Sequence, residues 1–106
     1  MTDMHQQCRL LLEQLEATMK SEGMWETIPP SSSALQSTEP FAVDTLHCTQ
    51  WLQWIFIPRL LWILAENMPL PAAMAISPYV EESMKGLAGQ PAILSVTRQL
   101  DELFKK

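Results

Sequence analysis

The stretch QWLQWIFIPRLLWIL, Gln50 to Leu64, constrains this chain more than any other. Gln50, Gln53 and Arg59 are its only polar side chains, and it holds Trp51, Trp54 and Trp62. A membrane span needs about 20 consecutive apolar residues. This run is shorter and carries Pro58 and Arg59, so no membrane span is expected, but a helix buried in the fold or lying on a partner. On a helical wheel Thr49, Gln50 and Gln53 share one side, yet the positions that continue that side are Ile57, Leu60 and Leu64. A helix apolar on all sides is normally central in its fold. Pro58 has no N–H and presses on the carbonyl of Trp54, which predicts that the helix is kinked or split there. Asp44, whose carboxylate can accept from backbone N–H groups two or three residues on, is the expected N-cap.

The elements on either side fit around such a hub. Cys8, Leu11, Leu12, Leu15 and Met19 recur at spacings of three and four, which predicts an amphipathic helix from about Asp3 to Lys20, with Thr2 or Asp3 as N-cap and Gly23 just beyond its end. From Met24 to Phe41, Pro29, Pro30 and Pro40 bracket a serine cluster, so an extended connection is expected, anchored by Trp25, Ile28, Leu35 and Phe41. Asn67, Pro69 and Pro71 end the central helix. Ser77 as N-cap and Pro78 at the first helical position start another, with Gly86 and Gly89 stopping it. Pro91 opens a last helix through Ile93, Val96, Thr97, Leu100, Leu103 and Phe104, with Arg98–Glu102 and Asp101–Lys105 as pairs on its solvent side. No segment alternates like a strand. The expectation is an all-α fold, a small bundle of four to five helices around a central hydrophobic helix, forming one domain over residues 1–106.

Composition narrows the possible functions. Twelve acidic against seven basic side chains give a net charge of −5, with no basic stripe for phosphates, so no direct nucleic-acid binding is expected. A hydrophobic content of 47% with 18% charged residues is that of a chain that folds by itself. The N-terminus reads as a helix and not as a secretory signal, and Cys8 and Cys48 read as two reduced thiols of a cytoplasmic protein.

Candidate chemistry is sparse. Of His5, Cys8, His47 and Cys48, the first two alone have the spacing of paired zinc ligands, and no metal site or cofactor is expected. The surroundings of both cysteines are acidic or apolar, which does not favour a thiolate nucleophile. No phosphate-cradling glycine loop or hydrolase motif is present. Arg59, in the oiliest part of the chain, calls for water, backbone carbonyls or a carboxylate, for which Asp44, Glu66, Glu81 and Glu82 are candidates. A small bundle cannot enclose every large side chain, and leftover aromatic surface marks a partner site.

The segments PFAVDTL, QWLQWIFIPRL and MPLPAAMAISPYVEE, with the closing LDELF, resemble the YqcC-like family of small bacterial proteins over nearly the whole chain. The motif covers Pro40, Phe41, Asp44, Thr45, Trp51, Leu52, Gln53, Trp54, Pro58 and Arg59, and leaves out His47 and Cys48. The resemblance implies a short helical bundle without an established activity, linked by gene neighbourhood to tRNA pseudouridine synthase C and sometimes labelled as part of that enzyme. Pseudouridine synthases use an aspartate on a larger mixed α/β scaffold with a basic RNA cleft, so the implied role is accessory. The leading expectation is a non-catalytic module that binds a protein, or itself, through the surface around Gln50, Gln53, Trp54 and Arg59, with Asp44 nearby. Two alternatives stand beside it: an RNA-modification activity with Asp44 in the active role, and a bundle pocket in which Arg59 holds an anion.

Overall fold

The computed structural model describes residues 3–71 and 74–105. Five helices follow in order: α1 (Met4–Ser21), the short α2 (Ser32–Leu35), α3 (48–65), α4 (Ser77–Ser83) and α5 (Gln90–Phe104), with a 3-10 turn at Pro40–Ala42. No strand occurs among the described residues, and the chain is the all-α bundle read from its periodicity.

α1 starts where its sequence allows. Asp3 is the N-cap, and its carboxylate accepts from the His5 N–H at 3.0 Å; the alternative, Thr2, lies outside the described residues. Cys8, Leu12, Leu15 and Met19 are fully buried and Leu11 half-buried. Past the last turn, Gly23 takes φ of 70°, and the Met24 N–H returns to the Met19 carbonyl at 2.8 Å, closing the helix end. Asn67 at φ 52° ends α3 in the same way, with the Met68 N–H on the Ile63 carbonyl at 2.9 Å.

α3 is not split at Pro58. It runs as an α-helix over Cys48–Trp51, a π-helical turn over Leu52–Phe56, and an α-helix over Ile57–Ala65. The Ile57 N–H reaches back five residues to the Leu52 carbonyl. A π turn widens the helix, and so offers the proline ring and the missing N–H a place within an unbroken rod. The N-terminus corrects the sequence expectation: Asp44 lies in a turn, and α3 begins after His47, whose N–H donates to the Gln50 side chain at 2.9 Å. The segment before it is held instead by turn hydrogen bonds, from the Thr45 and Leu46 N–H groups to the Ala42 carbonyl.

α3 supplies Cys48, Trp51, Leu52, Phe56, Ile57, Leu60 and Leu64 to the core. α5 lies along both α1 and α4, and contributes Ile93, Val96, Leu100, Leu103 and Phe104. An aromatic stack joins the 3-10 turn to α3 and α4: Phe41 lies on Tyr79 at 4.3 Å between ring centroids and meets Trp51 edge-on at 4.9 Å. Gly89, at the entry to α5, lets the end of α1 come close, because a Cβ there would fall 2.5 Å from the Met24 methyl carbon.

The start of α4 is a second correction. The helix begins at Ser77, but its free N–H groups are met from outside: the Asp101 carboxylate on α5 accepts from Ile76 and Ser77, each at 2.9 Å. Asp101 is buried, so the expected Asp101–Lys105 surface pair does not form; Lys105 instead contacts Glu102 at 3.2 Å. Arg98 likewise faces Glu81, at 3.8 Å, and not Glu102.

Candidate functional site

The connection after α1 is fastened to α3 at one residue, Glu26. Gln53 is buried, and its side-chain amide meets both backbone groups of Glu26: Oε1 accepts from the N–H at 2.8 Å and Nε2 donates to the carbonyl at 2.6 Å. The Glu26 carboxylate in turn accepts from Trp54 Nε1 at 3.1 Å and, more weakly, from Gln50 Nε2 at 3.4 Å. Gln50, Gln53 and Trp54 are thus brought together as expected, and their polar atoms are engaged within the chain. The connection is not extended throughout, since Ser31 caps the short α2 through the Ala34 N–H. Of the expected anchors, Trp25, Leu35 and Phe41 are half-buried, whereas Ile28 is 79% exposed, projecting beside Pro29 and Pro30 where no core residue faces it. Trp25 lies under the Lys20 ammonium, 5.4 Å from the ring centroid.

The outer side of α3 remains open. Trp54 is half-exposed, Leu61 and Trp62 are exposed, and Trp25, Trp54, Pro58 and Leu61 line one shallow groove. Of the three tryptophans in the apolar run, Trp51 alone is core.

Arg59 opens on a different side. It is exposed, and among the described residues no carboxylate lies within 4.0 Å of it, so none of Asp44, Glu66, Glu81 or Glu82 is its partner. Asp44 accepts from the Ser37 hydroxyl and is exposed. The Thr45 hydroxyl donates to the Ala34 carbonyl at 2.8 Å, tying the turn before α3 to α2.

The cysteines and histidines are dispersed. Cys8 and Cys48 are buried free thiols. Burial pushes Cys8 up to about 11, partly offset by nearby Arg9, and pushes Cys48 up to about 12. Tyr79 is also raised by burial and by its neighbour Cys48, against a hydrogen bond to Ser83. His5 contacts the Met68 carbonyl through Nε2 at 2.7 Å, joining the start of α1 to the end of α3. Among the described residues no three His, Cys, Asp or Glu side chains gather to hold a metal ion, and no helix is long and apolar enough to cross a membrane.

Sequence reasoning missed Glu26 and Asp101. Asp101 sits eight positions after Ile93, on the same stripe as Thr97 and Leu100, and a carboxylate at an apolar register position is a signal of a buried cap.

The fold and its polar contacts define a small helical bundle whose ordered side chains fasten its own connection and leave an aromatic face outside. The chain belongs to the DUF446 family, described as "tRNA pseudouridine synthase C", which matches residues 7–103. It is 43% identical over 100 residues to an uncharacterized protein of Haemophilus influenzae, covering 94% of each chain. Its fold is similar to the solution NMR structure of protein YqcC from Escherichia coli, with a TM-score of 0.85 and 38% identity over 97% of this chain and 89% of that one. A protein of Pectobacterium carotovorum named tRNA pseudouridine synthase C is 33% identical over 85 residues, which are 80% of this chain but 23% of that protein.

Proposed function

We propose that this chain is a non-catalytic protein-binding module that works in the cytoplasm beside a tRNA pseudouridine synthase. One observation carries the reading: a relative bearing that synthase's name contains a region like this chain as 23% of its length, so most of that protein lies outside the resemblance. Two units joined in one chain meet at an effective concentration in the millimolar range, and the same pair as separate chains needs a contact surface to replace the linkage.

The outer side of α3 supplies that surface in this reading. Trp54 and Trp62, with Arg59 at the edge, are of the residue types that carry most binding energy at protein interfaces, and Leu61 adds exposed apolar surface beside them. Gln50 and Gln53 support it from beneath by holding Glu26, and Asp44 steadies the turn that precedes the helix. A net charge of −5 suits a protein partner better than a phosphate backbone, leaving the grip on RNA to the synthase.

The test is association between the purified chain and the purified synthase of the same organism, by sedimentation and calorimetry. A stoichiometric complex that weakens at least tenfold in Trp62→Gln is expected. No complex at micromolar concentrations of both proteins overturns the reading.

A further inference from the structure

Arg59 looks into a cleft of about 410 Å³ whose walls come from three separate segments: Leu35 on α2, Glu39 and Phe41 before and in the 3-10 turn, and Trp51 and Ile55 on α3. Two features set this cleft apart from the rest of the surface. The first is charge. Arg59 and Glu39 line the same space, yet among the described residues neither has an oppositely charged atom within 4.0 Å. The second is backbone strain. Phe41 and Ala42 are consecutive non-glycine residues in the left-handed region, at φ 56° and 50°. Each such residue is strained and persists only where its surroundings enforce it. The other non-glycine example, Asn67, is an ordinary helix end.

The surroundings here are strict. The Ala42 N–H donates to the Glu39 carbonyl at 2.9 Å, the Leu46 N–H to the Ala42 carbonyl at 2.9 Å, and the Glu39 N–H to the Ser37 hydroxyl at 3.1 Å. The Phe41 ring stacks on Tyr79 and meets Trp51 edge-on. The strained turn therefore fixes an aromatic wall and places the residue carrying the carboxylate opposite the helix that carries the guanidinium. A cleft that presents Leu35, Phe41, Trp51 and Ile55 beside one unpaired charge of each sign is complementary to a molecule that bears both charges on an apolar body.

We propose that this cleft is a binding site for a small zwitterion of the α-amino acid class, its carboxylate on Arg59, its ammonium on Glu39, and its apolar side chain against Trp51, Phe41, Ile55 and Leu35. This site meets the proposed protein-binding face only at Arg59, and it does not rest on that reading.

L-leucine and L-phenylalanine are the probes, followed by calorimetry and by the fluorescence of the intact chain, in parallel with N-acetyl-leucine and leucine amide. The free amino acid is expected to bind, and blocking either charge to weaken it at least tenfold. Arg59→Met removes the preference for a free carboxylate, and Glu39→Gln removes the preference for a free ammonium. Both residues are exposed, so thermal unfolding of the two variants verifies that the fold is kept. No binding of either amino acid at millimolar concentration overturns the proposal. Equal binding of leucine and N-acetyl-leucine also overturns it, reducing the cleft to a site for anions, as does binding unchanged in both variants.

Discussion

Gln53 hydrogen-bonds both backbone groups of Glu26, accepting from its N–H at 2.8 Å and donating to its carbonyl at 2.6 Å. The pair joins residues distant in sequence, and it turns the one polar position in the buried stripe of α3 into the fastening of the connection above it. The buried amide would otherwise go without partners.

Gln53→Leu therefore loses two hydrogen bonds and leaves two backbone groups of Glu26 to find water. A loss of about 2 kcal/mol is expected in urea unfolding. Amide exchange at Glu26, followed by NMR, accelerates in the variant while the core of α1 and α5 keeps its protection until global unfolding.

Asp101→Ala strips the cap from α4. Charge-assisted hydrogen bonds contribute more than neutral ones, so a cost of about 3 kcal/mol is expected. Asp101→Asn keeps one carbonyl acceptor and is expected to fall between the wild type and the alanine variant. Circular dichroism under denaturant titration measures both.

The two thiols give a pH dependence of defined sign. An ordinary thiol ionises near 9.0, whereas Cys8 is raised to about 11 and Cys48 to about 12 by burial. Between those values the unfolded chain has lost protons that the folded chain keeps, so stability falls as pH rises. The contribution is complete below pH 9.0 and lost progressively as pH climbs through about 11 and about 12. Double replacement of Cys8 and Cys48 by alanine is expected to flatten the alkaline limb of a stability profile. At pH 8, alkylation of both cysteines in the native protein is expected to be slow and to become fast in urea.

Trp51 and Trp62 separate packing from partner contact. Trp51→Ala opens a cavity beneath Phe41 and Tyr79 and is expected to cost about 4 kcal/mol. Trp62→Gln, at an exposed position, is expected to shift stability by less than about 0.5 kcal/mol. Chemical denaturation of the two variants side by side measures the contrast.

Much of the fold was legible because α1 and α5 carry uninterrupted spacings of three and four, bounded by an Asp cap, Gly23 and Pro91. What escaped depends on partners distant in sequence. Asp44 and Asp101 are both aspartates near helix starts or faces, but only the fold brings Asp101 to the start of α4 and leaves Asp44 to Ser37. The π turn hides for a similar reason: Pro58 announces a disturbance, and only packing on both sides of it decides between a break and a widened turn. Gln50, Gln53 and Trp54 were recognisable as a group from their shared face. That their partner is Glu26 required a contact across the connection, which no periodicity encodes.

The most direct measurement is uridine isomerisation in tRNA by the purified chain alone, by the tRNA pseudouridine synthase alone, and by the two mixed at equal concentration. The expected result is no turnover by the chain alone, with or without Asp44→Asn, and a synthase rate or tRNA affinity that changes when the chain is added and returns to its own value with Trp62→Gln. Isomerisation by the chain alone, or a synthase indifferent to saturating amounts of it, would contradict a non-catalytic companion role.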